Sequence, residues 1–539
     1  MLEIIYKEIA VGAKESSTYS AINYQQKQDP ALLKYEQNDI TYGSITETNH
    51  TILHSKRTPI ASDLSRVGLW SDKQCLIDTQ LLMTLDISLS EIVDIRGITL
   101  TYDNLLNVFP QQVIIKFYLN DSVIFEKEFE NDNVIQRLED DNLQPFNRFE
   151  VKFYDLNIKQ HFLKIKHILF GLEEIIPNRD IKATVKLVQE IDDTNQKISI
   201  DELDLTFLAR KDYRFKTYQP LQVSDQRGLR AYLFLDKIKW NSYDIVSLEA
   251  CDYVNILDKY NFLGGFFENA CAMEVLTQLF DTANVPWKID DYFAGATISG
   301  HLEIMTCREA LNKICNAINA TIVTADLDYV YIKKLSTDIV KEIPKNHIFS
   351  GAKSNNNKIK ITAIEITEYT YYETNITKEL YFSEQEQEEV FIEFSDATYN
   401  LEIKNGEILE SNANYAIINA FENCSLTGKE YDYTKTVKAW RDTQKLVTDV
   451  DNIEKISRNT LISTNNSEEI LEMYKDTLLL TETLNVTFDM ENLKIGDVIL
   501  IDIGLKTKYK ARIIEATYKL YGTRNIGTCK LKVLEEIAK

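Results

Sequence analysis

The sequence predicts a mainly β protein of the α+β class, with a β-sandwich, two small β-barrels and an interposed helix-containing α/β domain. Short β-rich runs with alternating polarity recur through most of the 539 residues. Helical periodicity is confined to a few short segments. A hydrophobic content of 44% supplies enough apolar surface for real cores, and the length suits three or four domains of ~100–200 residues.

The N-terminal part divides into two predicted regions. Residues 1–37 are rich in Gln, Ser and Tyr, and this polarity predicts an arm that buries little surface alone. Residues 38–174 consist almost entirely of strand signals, such as Leu81–Leu85 and Val113–Leu119. Closely spaced strands without long helices predict a β-sandwich over 38–174.

A second set of strands occupies residues 175–262. Its runs are Ala183–Val188, Glu202–Leu208, Arg230–Phe234 and Tyr243–Leu248, separated by polar turns. This set predicts the first small barrel. The pair Gly264-Gly265 then marks a break, after which residues 263–358 carry the helices.

The first helix of 263–358 is expected after Asn269, which suits an N-cap. Met273, Leu276 and Phe280 would lie on one apolar face. The helix is therefore predicted to pack into a core.

The second helix has the clearer start signal, because Thr306 is followed three residues later by Glu309, the spacing of a capping box. Its predicted buried stripe consists of Leu311, Ile314, Cys315 and Ile318. Asp326 and Asp328 then favour a tight turn between two β-rich runs, which predicts a hairpin.

Strand alternation resumes after the Asn- and Lys-rich spacer at 353–358. Residues 359–539 are predicted to form a second barrel, with strands at 359–366 and 390–394 joining the strands at 484–534. An insertion at 395–480 separates its halves. Two segments of this insertion are compatible with helix, Val437–Val450 and Ser467–Leu478.

Charge and terminal sequence exclude several classes of protein. The formal net charge of −23, without a five-residue Lys/Arg-rich run, argues against nucleic acid as a partner, because binding phosphates requires basic clusters. The N-terminus has no apolar signal segment, and no run of ~18 apolar residues occurs. We expect synthesis in the cytoplasm without a signal peptide, and no membrane insertion.

Metal and redox motifs are lacking. Seven cysteines are scattered without C-x-x-C spacing, which predicts reduced core thiols rather than disulfides or zinc ligands. His50 and His54 have i, i+4 spacing but no H-E-x-x-H motif. We expect no metal and no cofactor.

Catalytic motifs are also lacking. The sequence has no G-x-S-x-G, Walker or dinucleotide-binding motif. An acidic strip, consisting of Glu384, Glu386, Glu388 and Glu389, is interpreted as a solvated or subunit-facing surface, with cation binding and glycosidase chemistry as the alternatives. The segment Gln189–Gln196 is interpreted as a polar turn. We expect no catalytic residues and no enzymatic activity.

A resemblance rests on an ordered series of short motifs around the helices: Asp252-Tyr253, Gly264-Gly265, Val285-Pro286, Ser299-Gly300, Thr306 to Leu311 and, downstream, Gly496-Asp497-Val498. In this order the chain resembles the hub and tail-associated proteins of phage tails and phage-derived contractile particles (tailocin-type bacteriocins), especially from Gram-positive hosts. The resemblance implies that the barrels are hub barrels and that the protein is a virion structural protein.

The same resemblance implies a trimer that joins the six-fold tail tube to a three-fold spike. Implied partners are tail tube proteins, a spike or lytic protein, and baseplate wedge proteins. Strand edges left open in one copy would be paired by ring closure in such a homo-oligomer.

The front region carries a second resemblance, in Gly68-Leu69-Trp70-Ser71, Arg96 to Leu100, Asn107 to Pro110 and Phe170-Gly171. These runs resemble the galactose-binding-like jelly roll near the N-terminus of tail-tip proteins. Trp70 is the one candidate for a sugar contact, and the favoured interpretation places it in the sandwich core instead. The alternative function is therefore a receptor-binding protein that contacts a cell-envelope glycan. A cell-wall hydrolase is the third class and ranks last.

Overall fold

The computed structural model describes residues 2–10, 13, 17–22, 24–26, 69–103, 106–182, 185–194, 196–211, 213–355, 360–443, 450–504, 507–520 and 526–538. The protein is mainly β, as the sequence predicts. Its chain forms two compact units. We call Ile5–Ile175 with Arg214–Pro220 the sandwich unit, and Ile176–Tyr213 with Leu221–Lys539 and the first four residues the main unit.

The strands up to the end of the sandwich unit are β1 (Glu3–Ile9), β2 (Thr18–Ile22), β3 (Tyr24–Gln26), β4 (Leu69–Gln74), β5 (Leu81–Val93), β6 (Gly97–Tyr102), β7 (Pro110–Leu119), β8 (Ser122–Glu130), β9 (Ile135–Glu139), β10 (Phe146–Leu156), β11 (Phe162–Leu169) and β12 (Gly171–Ile176).

Two five-stranded sheets form the sandwich, in the orders β2-β5-β10-β7-β8 and β3-β4-β11-β6-β9. Their alternating inward residues build one core that includes Phe117, Phe149 and Phe153. A fully buried ion pair also lies here, with Lys164 Nζ 3.0 Å from Asp103 Oδ2. The predicted β-sandwich is therefore present.

The N-terminal region differs from the predicted arm. β2 pairs with β5, from Thr18 opposite Ser88 to Ile22 opposite Thr84, and β3 pairs with β4. These strands were missed because an edge strand with one solvated face has few apolar residues. Residues 27–68 lie outside the described part of the chain, so the start of the predicted region 38–174 does as well.

The next elements, up to the end of the helical region, are β13 (Val185–Glu190), β14 (Glu202–Leu208), β15 (Pro220–Asp225), β16 (Gly228–Trp240), β17 (Ile245–Cys251), α1 (Tyr253–Leu257), β18 (Asn261–Phe262), β19 (Gly265–Cys271), α2 (Ala272–Ala283), β20 (Trp287–Ile289), β21 (Thr297–Leu302), β22 (Met305–Thr306), α3 (Cys307–Ala317), β23 (Thr321–Val323), β24 (Val330–Lys333), β25 (Ile339–Ile343) and β26 (Ile348–Asn355).

The remaining elements are β27 (Ala363–Ser383), β28 (Gln387–Glu393), β29 (Thr398–Ser411), β30 (Tyr415–Arg441), β31 (Ile453–Ile456), α4 (Ser467–Leu478), β32 (Thr483–Asp489), β33 (Val498–Ile501), β34 (Thr507–Leu520) and β35 (Ile526–Ala538). Short 3-10 turns occur at Asn178–Asp180, Asp291–Phe293 and Lys345–His347.

The two strand sets predicted as separate barrels share one sheet in the main unit. Its strands follow the order β15-β16-β17-β14-β13-β34-β35-β32-β26, and β33 pairs with both β34 and β25. β13 joins the two sets by running antiparallel to β34, from Val185 opposite Leu520 to Glu190 opposite Glu515. No closed barrel is seen among the described strands. A separate first barrel would need its edge strands to pair with each other, whereas β13 pairs with β34 of the other set.

A separate sheet contains β27 to β31, in the order β28-β30-β27-β31 with β29 also on β30. The sequence groups 359–366 and 390–394 with the C-terminal strands, which is wrong, since residues 363–366 pair with β30 and β31 and residues 390–393 pair with β30. The prediction that Val437–Val450 is compatible with helix is also wrong for residues 437–441, which form the end of strand β30. Residues 444–449 lie outside the described part. Alternation of apolar and polar residues extends only over Val437, Lys438 and Ala439, and the strand is decided by pairing of β30 with β27.

Helices α1, α2 and α3 pack around one core of the main unit, and the apolar faces of α2 and α3 meet there. Leu276 and Phe280 are buried as predicted, whereas Met273 is 36% exposed. Asn269 does not cap α2. It adopts a left-handed conformation with φ of 50° in β19, and α2 begins after Cys271. The hairpin predicted around Asp326 and Asp328 is confirmed by the antiparallel pairing of β23 and β24.

Candidate functional site

Most of the motifs that carry the hub resemblance lie at or beside the helical core of the main unit, whereas Gly496-Asp497-Val498 lies at the start of β33. Thr306 caps α3, since its hydroxyl oxygen accepts the Glu309 backbone N–H at 3.2 Å. Asp252 caps α1, since its Oδ1 accepts the Val254 N–H at 3.0 Å. Capping satisfies backbone donors that a helix start leaves unpaired. These two motif residues therefore stabilise the starts of helices.

Two motif glycines permit close approach of backbone segments. A Cβ at Gly264, where φ is +63°, would lie 2.2 Å from the Leu302 carbonyl oxygen. A Cβ at Gly300, where φ is +131°, would lie 2.3 Å from the carbonyl oxygen of Thr460. Both positions require glycine for conformation and for space.

A buried polar cluster joins α1 to the sheet and to the β23–β24 hairpin. Asp252 Oδ2 accepts the Asp201 N–H at 3.1 Å and the Thr324 hydroxyl at 2.6 Å. Asp201 Oδ1 accepts the Glu190 N–H at 3.1 Å, and its Oδ2 lies 3.3 Å from Thr324 Oγ1. The cluster thus fixes three strands and a helix start relative to each other.

This cluster holds two carboxyl groups away from water. Burial, with the nearby Asp252 carboxylate adding to it, raises the pKa of Asp201 well above its ordinary value. Burial also raises the pKa of Asp252, to about 6. A hydroxyl has a single proton, which Thr324 donates to the nearer Asp252 oxygen. The remaining contact, between Asp201 Oδ2 and Thr324 Oγ1, is a hydrogen bond when the Asp201 carboxyl is protonated and donates to the hydroxyl oxygen.

A second charged cluster lies against the C-terminal strands of the main unit. Arg230 Nη1 is 3.3 Å from Asp326 Oδ2, and the Arg230 guanidinium lies 5.2 Å from the centre of the Tyr518 ring. Burial raises the pKa of both Asp326 and Tyr518. In the segment Gln189–Gln196, predicted as a polar turn, the first two residues belong instead to β13, and Asp193 forms a buried pair, with its Oδ2 2.9 Å from Lys532 Nζ. Sequence reasoning missed these contacts because their partners lie tens to hundreds of residues apart.

The remaining candidates from the sequence do not converge on a site. Trp70 has its backbone in β4, opposite Lys164, whereas its side chain lies outside what the structure describes, so a sugar contact stays a prediction. His50 and His54 also lie outside the described residues. The acidic strip of Glu384, Glu386, Glu388 and Glu389 is solvent-exposed, as interpreted.

The seven cysteines are free thiols, and all except the half-buried Cys251 and Cys271 are buried. Within the described ranges no group of three or more His, Cys, Asp or Glu side chains is arranged to hold a metal ion. The helices that the structure describes include none with the length and apolar character needed to cross a membrane.

Comparison with known proteins gives structural likenesses only. No family model matches the chain, and no curated protein matches it. The 43 kDa tail protein of prophage MuSo2 from Shewanella oneidensis is similar over 66% of this chain and 95% of its own, with 7% identity and a TM-score of 0.41. Prophage tail protein gp18 from Listeria monocytogenes EGD-e is similar over 67% of this chain and 91% of its own, with 11% identity and a TM-score of 0.40.

A third likeness is to the family 32 carbohydrate-binding module of C. perfringens NanJ, solved with galactose. It covers 32% of this chain and 99% of the module, with 12% identity and a TM-score of 0.21.

Proposed function

We propose that this protein is a structural component of the tip or baseplate of a phage tail or phage-like particle, acting as a trimeric hub between the tail tube and a spike. One observation carries the proposal. Most of the hub-like motifs, including Asp252, Gly264, Gly300 and Thr306, lie around one core, where they cap helices or admit close backbone contacts. A series of motifs that serves only to hold strands and helices together is typical of a scaffold.

The sheet of β27 to β31 offers surfaces for such a role. Phe382, Phe391 and Phe421 are 53%, 49% and 51% exposed on its strands. Large aromatic side chains contribute strongly to interfaces when a partner buries them. The proposal therefore assigns this sheet to contacts with neighbouring subunits or baseplate proteins.

The test is reconstitution of the purified protein with the tube and spike proteins of the same particle. Light scattering in low and high salt gives the mass of the protein alone, and electron microscopy of the mixture shows its place. We expect a trimer that caps tube ends. A protein that joins neither tube nor spike would refute the proposal.

Matched variants locate the interface. Phe391→Glu and Phe421→Glu should abolish assembly, because each buries a charge at the proposed contact. Tyr243→Glu is the control, since Tyr243 is fully exposed in the β16–β17 turn, away from this sheet. Equal assembly by all three variants would exclude the β27–β31 sheet as the interface.

The proposal includes no catalytic activity, and lytic activity would belong to another polypeptide. Purified cell-wall sacculi incubated with the folded protein should release neither reducing ends nor peptides. Release that persists through repeated purification would favour the hydrolase alternative instead.

A further inference from the structure

A groove in the main unit runs between a strand edge and a helix face. It has a volume of about 650 Å³. One wall consists of the consecutive residues Glu454 to Asn459, from β31 and the loop after it. Neighbouring residues of a strand point to opposite faces of its sheet. A cavity lined by all of them therefore lies along the edge of β31 rather than over one face.

That edge is free in the described part of the chain. β31 is the last strand of its sheet and runs parallel to β27, with Ile453 opposite Ala363 and Ile456 opposite Ile366. Alternate backbone N–H and C=O groups of β31 point away from β27 and into the groove. A strand edge of this kind is a template for pairing with another extended chain.

The opposite wall is one face of α3. Glu309, Asn312, Lys313 and Asn316 line it at the i, i+3, i+4, i+7 spacing of a helix face. The Lys313 ammonium forms no hydrogen bond or ion pair with any residue that the structure describes. Burial lowers its pKa, and the charges of Glu303 and Glu309 only partly oppose this effect. An anionic group in the groove would stabilise the ammonium.

Hydrogen bonds hold the two walls at a fixed separation. Asn459 Nδ2 donates to the Lys313 carbonyl oxygen at 2.9 Å and to Asn316 Oδ1 at 2.8 Å. Asn316 Nδ2 donates in turn to the Tyr474 hydroxyl at 2.7 Å, and all three side chains of this network are buried. The groove is therefore preformed, which lowers the cost of binding.

We propose that this groove binds an extended segment of another protein as an additional strand on the free edge of β31, with an acidic side chain of that segment facing Lys313. The inference does not depend on the proposed tail function.

The test measures fluorescence polarisation of labelled, blocked hexapeptides with the full-length protein. The probe alternates Thr and Val and carries Asp at the third position, and matched probes carry Lys or Ser there. Two further Asp peptides are N-methylated on the odd or the even amides. We expect the Asp peptide to bind about tenfold more tightly than the Lys peptide, the gain typical of one charge-assisted hydrogen bond.

One N-methylated peptide should bind and the other should not, because only alternate amides of an added strand face β31. Lys313→Met should remove the preference for Asp. Lys475→Met, in which the lysine of another helix pairs with Glu472, is the control and should keep that preference. This pair of variants separates the groove charge from a general effect of charge.

Three results would overturn the proposal. The first is the absence of saturable binding by the Asp peptide, and the second is equal binding by both N-methylated peptides. The third is equal behaviour of Lys313→Met and Lys475→Met. If excess Asp peptide lowers the mass of the protein in sedimentation, the occupant is a second copy of this chain, and the proposed partner is wrong.

Discussion

The buried Asp201–Asp252 pair predicts opposite outcomes for two otherwise identical substitutions. In Asp201→Asn, the amide oxygen can keep the Glu190 N–H, and the amide nitrogen can donate to Thr324 Oγ1 as the protonated carboxyl does. The change in the free energy of unfolding at pH 7 should stay below about 1 kcal/mol.

Asp252→Asn should be much more harmful. Both Asp252 oxygens act only as acceptors, for Val254 N–H on one and for Asp201 N–H and the Thr324 hydroxyl on the other. In asparagine an NH2 group replaces one of these two oxygens, so at least one of the donors that faced that oxygen loses its acceptor. The expected loss of stability is about 3 kcal/mol, the size typical for hydrogen bonds to a buried charged group.

The pH dependence follows from the sign of the shift. Because the folded state raises the pKa of Asp201, the native protein binds more protons than the unfolded chain. This contribution to stability is complete below the unfolded pKa of about 4 and is lost as pH rises through the folded pKa, by at most about 1.4 kcal/mol per pH unit. Asp201→Asn removes it, so the stability of the variant relative to the wild type should increase with pH.

Urea unfolding followed by tryptophan fluorescence between pH 5 and 8 measures both effects. Trp287 reports on this core, since its ring stacks on Phe280 at 5.0 Å. The opposite outcome is that Asp201→Asn costs as much stability as Asp252→Asn and that its difference in stability from the wild type does not change with pH. That result would mean that Asp201 is ionised in the folded protein.

Three further substitutions test individual contacts by the same unfolding measurement. Gly300→Ala should cost at least about 2 kcal/mol or prevent folding, because of its positive φ and the 2.3 Å contact, whereas Gly295→Ala, with open space around its Cβ, should be nearly neutral. Thr306→Ala should cost about 1 kcal/mol through the lost cap of α3, and serine at this position should restore most of it; no difference between alanine and serine would exclude capping. Lys164→Met should destabilise the sandwich unit by about 3–5 kcal/mol because Asp103 stays buried without its cation, and adding Asp103→Leu should recover part of that loss.

Local structure was predictable where its cause is local. The cap at Thr306 and the turn at Asp326 follow from spacing within a few residues, and the structure contains both. Which strands pair with each other in a sheet was not predictable in the same way. Strands at 363–366 and 390–393 have the same alternation as the C-terminal strands, and only tertiary pairing with β30 decides their sheet.

The buried polar contacts show the same division. Asp252 stood out within its motif, but nothing near Asp201 or Thr324 in the sequence indicates that they meet it. The groove at β31 could not be predicted from the sequence either, because its two walls, a strand edge and a helix face, lie more than a hundred residues apart in the chain. Long-range pairing therefore determines the site, while local patterns determine its parts.

The pairing of β13 with β34 has a consequence for synthesis of the chain. The ladder between β13 and β34 can form only after Leu520 has been synthesised, more than three hundred residues after its partner Val185. Contacts of such high sequence separation form slowly and after the entropy of closing the intervening loop has been overcome. A partly synthesised chain would therefore expose the unpaired edge of β13, and folding of this sheet should be a post-translational event that chaperones protect.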